Sequence, residues 1–406
     1  MIKTITTRPA FALLISTLLV GAPPPAFART IAVTAGDDAQ TRLQEALILA
    51  QPGDVVQLGA GRFVLTDGLS LDADRVTVRG AGMQATVLDF SGQQGAGEGL
   101  LVTSDGVTLR DFAVENTKGD GIKSKGADNI VYYRVRVSWT GGPKETNGAY
   151  GIYPVASNGV LVDGCEVSGA SDAGIYVGQS KGISVRYNYV ENNVAGIEIE
   201  NSRNALVTGN LVTRNTGGIL VFDLPNLPVM GGGNTVIEHN LVVNNDTANF
   251  APKGNIVASV RRGTGVMVMA NDGVWVRRNT LVGNPTAQIL IIAYPQQFTD
   301  KTYIPLPRNV VIDGNLVTGG GDDPQLPGGD QLKAAFGGAL PAIIWDGVGQ
   351  QPVVNESTTI LSLGIPGPSL GMAEAKPHPI KTVRPAKIKV PIGFGAPAAL
   401  DLRARP

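Results

Sequence analysis

Residues 183–223 read ISVRYNYVENNVAGIEIENSRNALVTGNLVTRNTGGILVFD and contain two copies of one pattern. Asn188 and Asn210 lie 22 residues apart, and the residues around them repeat at the same offset. Each copy closes with a Gly-Ile pair, whose second residue is Ile197 or Ile219. Repeats of about 20–30 residues are typical of solenoids, in which each unit buries its apolar residues only against its neighbours.

The short apolar runs of each copy indicate the type of solenoid. Apolar and polar residues alternate as in a strand, and the 3.6-residue spacing of a helix is not seen. Three such runs per repeat are separated by Asn and Gly, which tolerate the left-handed backbone of tight bends. Three short strands per turn, stacked about 4.8 Å apart, predict an all-β parallel β-helix of about eight to ten turns. A leucine-rich repeat would need leucines at fixed offsets and a helical segment, which are missing.

One bend position is expected to form a ladder along the helix axis. Asparagine amides at the same bend of successive turns can hydrogen-bond to one another, as in other stacked β structures. From turn to turn, this position is occupied by Phe112, Val135, Cys165, Asn188, Asn210, Asn240, Asn279 and Asn315. The ladder should therefore be apolar in the first half of the chain and amide in the second.

The N-terminal residues predict export. Lys3 and Arg8 precede an apolar run, and Ala26-Phe27-Ala28 is a small-x-small cleavage site, so residues 1–28 are read as a signal peptide. The apolar run is too short to span a membrane, and no later segment predicts a transmembrane span. We therefore expect a secreted or periplasmic protein.

Residues 29–55 are expected to cap the open first turn. The spacing predicts a helix over 37–50, with Asp37 or Asp38 at its start and one apolar face. Such a lid would shield the apolar core and the unpaired strand edges at the end of a β-helix. The β-helix proper is expected over 56–318, an irregular segment or cap over 319–363, and a tail rich in Pro and basic residues over 364–406, read as a wrapping arm or a disordered linker.

Composition narrows the possible functions. The formal net charge of −1 gives no reason to expect a nucleic-acid or anionic-membrane partner. Cys165 is the single cysteine, so no intrachain disulfide can form, and we expect it to pack in the ladder. Of the two histidines, His378 lies in the tail and His239 lies at a bend, where a turn role is expected.

The repeats resemble the right-handed parallel β-helix superfamily, which includes pectate lyases, polygalacturonases and alginate epimerases. The resemblance covers about Ile31 to Val317 and implies the fold rather than the chemistry. Stretches such as NGAYGIYPV and GGILVFDLPNLP are similar to exported β-helix repeat proteins of unassigned function. Members of that group often occur beside a separate c-type cytochrome-like partner, so the resemblance implies such a partner as one alternative.

The signature motifs of the superfamily's enzymes are not found. Alginate epimerases carry Tyr-Gly-x-Asp-Pro-His, whereas residues 150–155 read YGIYPV, with Tyr153 in place of the acid and Val155 in place of the base. The polygalacturonase Gly-His-Gly motif does not occur, and no pectate lyase signature stands out. The activities of these enzymes cannot therefore be carried over to this chain.

The Gly-Ile strands still predict a groove. If the isoleucines point inward, the next residues point outward and form one flat face with charged and aromatic side chains. The candidate catalytic residues of this face are Lys123, Tyr153, Tyr176 and Glu198. The candidate substrate-binding residues are Lys125, Lys144, Glu145, Tyr150, Glu200, Phe222 and Asp223.

Three hypotheses follow. The first is a protein that binds or processes an acidic polysaccharide, with tyrosines stacking on sugars, Lys123 neutralising a uronate, and a tyrosinate or Glu acting as base. The second is a non-catalytic adaptor that docks a periplasmic protein. The third, a metal-dependent enzyme, is weak because no His/Cys cluster exists. No cofactor is expected, although calcium could bind to oxygen ligands at Glu198, Glu200 and Asp223.

Overall fold

The computed structural model of the protein describes residues 28–95, 97–355, 358–382 and 393–403. The predicted signal peptide lies outside these residues except for Ala28. Short strands coil around one axis, so that each turn contributes a strand to each of three faces. Among the described residues the strand pairs are parallel, apart from the antiparallel pair at the C-terminal end. The predicted parallel β-helix is confirmed.

Face 1 is built from the first strand of each turn. It consists of β1 (Thr30–Val33), β2 (Val55–Leu58), β5 (Thr77–Arg79), β8 (Thr108–Glu115), β10 (Ile130–Ser138), β12 (Asn158–Asp163), β15 (Lys181–Arg186), β18 (Arg203–Thr208), β21 (Gly233–Glu238), β24 (Asp272–Arg277), β27 (Arg308–Asp313) and β30 (Val353–Val354).

Face 2 follows around the first corner. Strands β8 and β10 bend across that corner and belong to both faces. The other strands of face 2 are β3 (Gly61–Val64), β6 (Thr86–Asp89), β13 (Glu166–Ser168), β16 (Tyr189–Glu191), β19 (Leu211–Thr213), β22 (Leu241–Val243), β25 (Thr280–Val282) and β28 (Leu316–Thr318).

Face 3 carries the candidate site and is a twelve-stranded sheet. Its strands are β4 (Leu69–Leu71), β7 (Leu100–Val102), β9 (Ile122–Lys125), β11 (Tyr150–Val155), β14 (Ala173–Gly178), β17 (Ala195–Glu200), β20 (Gly217–Phe222), β23 (Thr264–Met269), β26 (Ala287–Ile292), β29 (Ile343–Trp345), β31 (Thr359–Ser362) and β32 (His378–Lys381). Eleven of these are parallel, slightly more than the eight to ten turns predicted, because strands β29 and β31 continue the sheet beyond residue 318.

The predicted ladder lies at the corner between faces 1 and 2. Asn210 donates from Nδ2 to Oδ1 of Asn240 over 2.8 Å and accepts from Nδ2 of Asn188 over 2.8 Å. At the N-terminal end of the amide ladder, the backbone amide of Cys165 donates to Oδ1 of Asn188 over 2.8 Å, and Cys165 is fully buried. Because each amide bonds to the next turn and to backbone, the corner hydrogen bonds are satisfied without water.

A second amide ladder lies at the corner between faces 2 and 3. It consists of Asn193, Asn215, Asn245 and Asn284, joined by Nδ2–Oδ1 contacts of 3.0–3.1 Å. The last of these amides donates to Gln288 over 2.6 Å. The two ladders set the positions of the corners, and hence of the strand between them. His239 lies beside Asn240 at a left-handed bend, with a φ of 55°, and is exposed, as expected for a turn residue.

The interior is filled by inward-pointing side chains from all three faces. On face 3 the column includes Ile122, Ile152, Ile175, Ile197 and Ile219, which pair in register from strand to strand and are fully buried. The Gly-Ile pairs therefore place apolar side chains in the core, as predicted. A parallel sheet buried in this way gains stability from each isoleucine, about 1.5–3 kcal/mol per fully buried side chain.

The N-terminal lid differs in detail from the prediction. Helix α1 (Ala39–Leu49) buries Ala39, Leu43, Ala46 and Leu47, but strand β1 precedes it and pairs with β2. Asp38 occupies the N-cap position with a left-handed φ of 56°, and its side chain makes no capping hydrogen bond. The apolar face of α1, rather than its cap, holds the lid on the first turn.

The C-terminal segments cover two different faces. A second helix, α2 (Gly329–Ala335), lies in the segment that joins β28 to β29. Residues 393–403 return to face 1, where Nη2 of Arg403 lies 2.7 Å from the Asp163 carboxylate. Asp401 pairs with Arg186 at 2.5 Å, and the Ala396 amide donates to the Ser184 hydroxyl over 2.9 Å.

Candidate functional site

The outward side chains of face 3 form two columns that run along the axis. The first is Lys123, Tyr153, Tyr176, Glu198, Leu220, Met267 and Leu290, and the second includes Lys125, Val155, Gly178, Glu200, Phe222 and Met269. This is the register predicted from the Gly-Ile pairs. The columns are polar near the N-terminal end and become apolar toward the C-terminal end.

The expected open face is present only at its N-terminal end. From about Tyr176 onward, the insertions after β20, β22 and β26 and the segments after β28 and β31 pack onto the sheet as a second apolar cluster. Tyr176, Glu198, Glu200, Phe222 and Asp223 are therefore buried, with 3–6% of their surface exposed. The expectation that Glu198 is solvent-exposed is wrong, because the insertions cover it.

A charged triplet marks the open end. The Nζ atom of Lys123 lies 2.9 Å from the Glu98 carboxylate and 3.5 Å from that of Asp120. Partial burial alone would lower the pKa of Lys123, but the Glu98 hydrogen bond and the attraction of Asp120 raise it, so the ammonium stays charged. Burial raises the pKa of Asp120 to about 6 in spite of the nearby lysine. Asp120 can thus exchange a proton near neutral pH while remaining in reach of solvent.

Three tyrosines form a compact cluster beside this triplet. The ring centroids of Tyr150, Tyr153 and Tyr176 lie 4.5–4.8 Å apart, with interplanar angles of 41–89°. The Lys123 ammonium lies 4.8 Å from the centre of the Tyr153 ring. Because the rings are tilted against one another and partly covered by Lys123, they do not form the flat stacking platform that the sequence predicted.

The same cluster argues against a tyrosinate base. Burial raises the pKa of Tyr150, Tyr153 and Tyr176 above the ordinary value, and nearby carboxylates add to the shift. The phenols therefore stay protonated at neutral pH. They can donate hydrogen bonds to a ligand or to a carboxylate but do not remove its protons.

Buried carboxyls lie beneath the tyrosines. Two of them are Asp172, which lies beside Tyr150, and Glu200, which lies beside Tyr176. Burial raises the pKa of each of these two carboxyls to about 7. Burial also raises the pKa of Glu198 well above its ordinary value, and repulsion from Asp172 and Glu200 adds to this effect. Several acids with shifted pKa in one place are typical of functional sites.

Two further predicted site positions have structural surroundings. Asp223 accepts hydrogen bonds from the Gly232 amide over 2.7 Å and from the Asn271 amide group over 2.8 Å. Its backbone carbonyl accepts from the Tyr303 hydroxyl over 2.6 Å. Asp223 therefore anchors the insertion that follows β20. Phe222 belongs to the apolar cluster above the sheet.

Three predicted residues lie apart from the cluster. Lys125 is exposed at the end of β9, and Lys144 and Glu145 are exposed in the insertion between β10 and β11. Among the residues that the structure describes, none of the three forms an ion pair. The structure does not bring them together with the charged triplet.

The geometry gives no support to a calcium site at Glu198, Glu200 and Asp223. Within the described ranges, no group of three or more His, Cys, Asp and Glu side chains is arranged to hold a metal ion. No described helix is both long enough and apolar enough to cross a bilayer.

Sequence reasoning missed Glu98, Asp120 and Asp172. A signal for Asp120 was present, since it stands two residues before Ile122, as Tyr150 stands two before Ile152. Aligning the turns one residue further upstream would have placed both at the edge of face 3. Glu98 lies in a stretch without repeat periodicity, so its proximity to Lys123 depends on the path of a loop.

Comparisons with known proteins agree on the fold. The family model described as the right handed beta helix region matches residues 75–229. No curated protein matches the chain.

Similar solved structures belong to proteins with different roles. The A-module of mannuronan C-5 epimerase AlgE4 from Azotobacter vinelandii is 14% identical, with a TM-score of 0.51 over 84% of this chain and 96% of that module. An N-terminal fragment of gene product 12 of bacteriophage Phi29 is 15% identical, with a TM-score of 0.54 over 79% of this chain and 60% of the fragment. The DFA-IIIase of Arthrobacter chlorophenolicus A6 is 12% identical, with a TM-score of 0.52 over 81% and 95% of the two chains. At these sequence identities, the similarity shows a shared β-helix fold and does not extend to the reactions of these proteins.

Proposed function

We propose that the chain, a member of the right-handed parallel β-helix superfamily, is an exported protein that binds a polysaccharide at the open end of face 3. The protein then processes this polysaccharide by acid–base chemistry. The observation that carries the proposal is the triplet of Glu98, Asp120 and Lys123 beside the tyrosine cluster. It places an acid with a pKa of about 6 next to a cation and to phenolic donors on a partly open surface. A polymer can lie along such a face because the strands repeat every ~4.8 Å.

Asp120 is the residue best placed for proton transfer. Its carboxyl can take a proton from a sugar or deliver one to it near neutral pH, because its pKa of about 6 lies close to the working range. Lys123 stabilises the ionised form of Asp120 and holds its orientation. Tyr153, half-buried beneath the lysine, can donate its phenolic proton in a hydrogen bond to a sugar oxygen.

The ion pairs favour a neutral glycan over the uronate polymer expected from the sequence. Lys123 is already neutralised by Glu98 and has Asp120 as a second anionic neighbour. The triplet itself therefore offers no free positive charge to a uronate, whose carboxylate would meet two anions there. Hydroxyl groups of a neutral sugar can instead bond to these carboxylates and to the tyrosines.

The test compares matched variants of the mature protein on neutral and uronate oligosaccharides. Calorimetry measures binding, and mass spectrometry detects products. We expect Asp120→Asn to bind the neutral oligosaccharide but to lose turnover by at least 100-fold, as expected when a proton-transfer group is removed. Lys125→Ala, on the same face but outside the triplet, should behave as the wild type. The proposal is overturned if the wild type ignores all oligosaccharides, or if Asp120→Asn retains full turnover.

A specific observation supports the adaptor alternative. On face 2 the outward residues Leu211 and Leu241 are adjacent and are 36% and 40% exposed, and Leu316, which is 63% exposed, follows beyond Thr280 in the same row. Exposed apolar rows are typical of surfaces that bind another protein. Under this reading, the chain docks a periplasmic partner such as a c-type cytochrome-like protein. Loss of a co-purifying partner on Leu316→Glu, with unchanged folding, would favour it.

A further inference from the structure

A separate cavity of about 490 Å³ lies on face 3, beyond the tyrosine cluster. Its floor is the apolar part of the first outward column, where Leu220, Met267 and Leu290 are at most 7% exposed. None of Glu98, Asp120 and Lys123 lines it. The cavity therefore differs from the proposed glycan site, and its role can be tested independently.

The walls come from segments that cover the sheet. They include Val257 and Val260 from the insertion after β22, Tyr294 after β26, and Leu363 and Met372 from the C-terminal region. These side chains belong to or pack against the apolar cluster on the outside of face 3. A methionine side chain is flexible and polarisable, so a lining that includes Met267, Met269 and Met372 can adapt to aliphatic chains. Volume and lining are those of a small-molecule site.

One end of the cavity carries an acid without a partner. Glu198 lines the cavity and is 3% exposed, yet among the described residues its carboxyl makes no hydrogen bond or ion pair. Asp346, the other acid of the lining, differs because it accepts from the Ala293 amide over 2.6 Å and from the Val348 amide over 2.8 Å. The donor and acceptor capacity of the Glu198 carboxyl is therefore available to a ligand in the cavity.

The protonation state of Glu198 limits the ligand's polar group. Burial and repulsion from Asp172 and Glu200 raise the pKa of Glu198 well above its ordinary value, which favours the protonated carboxyl. A protonated carboxyl donates a hydrogen bond to an oxygen acceptor. Beside Glu198, an anionic head would be repelled by Asp172 and Glu200, and an ammonium head would leave the acidic proton of Glu198 without an acceptor. Arg261, the basic residue of the cavity lining, is exposed to solvent.

The geometry points to a binding site for an uncharged amphiphile, with its aliphatic chain along the floor from Leu220 to Leu290 and an alcohol, ester or amide oxygen bonded to Glu198. The column order places Glu198 at one end, followed by Leu220, Met267 and Leu290. Three inter-strand steps span about 14 Å. This length suits a chain of about ten carbons, and it runs across the strands, where the outward side chains leave a continuous apolar floor.

The test uses three ten-carbon probes that differ in their heads. Decanol below its solubility limit, and decanoate and decylamine below their critical micelle concentrations, are titrated into the mature protein with the fluorescent probe N-phenyl-1-naphthylamine bound. We expect decanol to displace the probe, and we expect the apparent affinities of decanoate and decylamine to be at least tenfold lower than that of decanol. Equal displacement by all three, stronger displacement by either charged probe, or no displacement overturns the proposal.

Matched variants locate the site. Glu198→Leu removes the hydrogen-bond donor and should lower the affinity for decanol at least tenfold. Glu198→Gln keeps a donor, and its affinity for decanol should stay within threefold of the wild-type value. Ser259→Trp, at an exposed position on the rim, should block displacement without disturbing the core. Lys125→Trp is the control on the same face outside the cavity. If Glu198→Leu and Ser259→Trp both bind decanol as the wild type does, the amphiphile site does not exist.

Discussion

The Nζ atom of Lys123 lies 2.9 Å from the Glu98 carboxylate and 3.5 Å from that of Asp120, so one lysine joins two acids from consecutive turns of the β-helix. Asp120 keeps a raised pKa of about 6 because burial outweighs the lysine. The protonation of Asp120 is thus set by two opposing effects, which mutation can separate.

Removal of the lysine charge should raise the pKa of Asp120 further. In Lys123→Met, the aliphatic stem remains, but the cation that favours the ionised acid is lost, so the pKa should move above about 6. Carbon-13 NMR titration of the Asp120 carboxyl measures this change. Lys125→Met is the matched control, and an identical titration in both variants would contradict the role of Lys123.

Stability should fall as the pH rises from about 5 to 7.5. Burial holds the pKa of Asp172 and Glu200 at about 7 in the folded protein, above the ordinary values of 3.8 and 4.5. A carboxyl with a raised folded pKa stabilises the fold fully below its unfolded pKa, and this contribution is lost as the pH rises through the folded pKa. Urea unfolding at both pH values measures the difference.

The Glu200→Gln variant isolates one part of this dependence. It cannot titrate, so the decrease in unfolding free energy between pH 5 and 7.5 should be smaller than in the wild type. Glu145→Gln, which is exposed, should keep the wild-type slope. The interpretation fails if Glu200→Gln has the wild-type slope as well.

A charged side chain at position 197 should lower the free energy of unfolding. The side chain of Ile197 is fully buried, so Ile197→Asp places an unpaired carboxylate in the core and should cost more than about 4 kcal/mol of unfolding free energy. Thermal or urea unfolding measures the loss. Lys125→Asp, on an exposed position of the same face, should change stability by less than about 0.5 kcal/mol, and comparable losses would contradict the register.

The amide ladder should be most sensitive in its middle. Asn210 bonds to Asn188, Asn240 and the Val185 carbonyl, and it is 1% exposed. Asn210→Ala leaves these buried groups without partners and should cost about 2–4 kcal/mol. Asn315→Ala, at the partly exposed end of the ladder, should cost about half as much by urea unfolding. Equal costs would mean that the ladder is not a chain of interdependent bonds.

The periodic parts of the molecule could be predicted from sequence. Ile197 and Asn210 repeat at fixed offsets, so the inward column and the first corner followed directly from the pattern. The burial of Glu198 could not be predicted in this way. It depends on insertions such as the one containing Val257, which have no repeat and whose path is set by tertiary packing.

The same distinction between repeating sequence features and tertiary packing applies to the candidate site. The register of Lys123 and Tyr153 was accessible from the Gly-Ile pairs, but the contact of Lys123 with Glu98 was not. The tilted arrangement of the tyrosines also arises from packing among neighbours, which residue spacing does not describe.

The contact of residues 393–403 with face 1 affects the cooperativity of unfolding. In a stack of turns that touch only their neighbours, an open end can fray one turn at a time. Arg403, however, closes a loop of 240 positions onto Asp163, a carboxylate with 0% exposure that also binds Arg186. Fraying of the last turns must therefore either detach this arm or pull on the middle of the solenoid. We therefore expect residues 393–403 to couple the unfolding of the last turns to that of the middle of the β-helix.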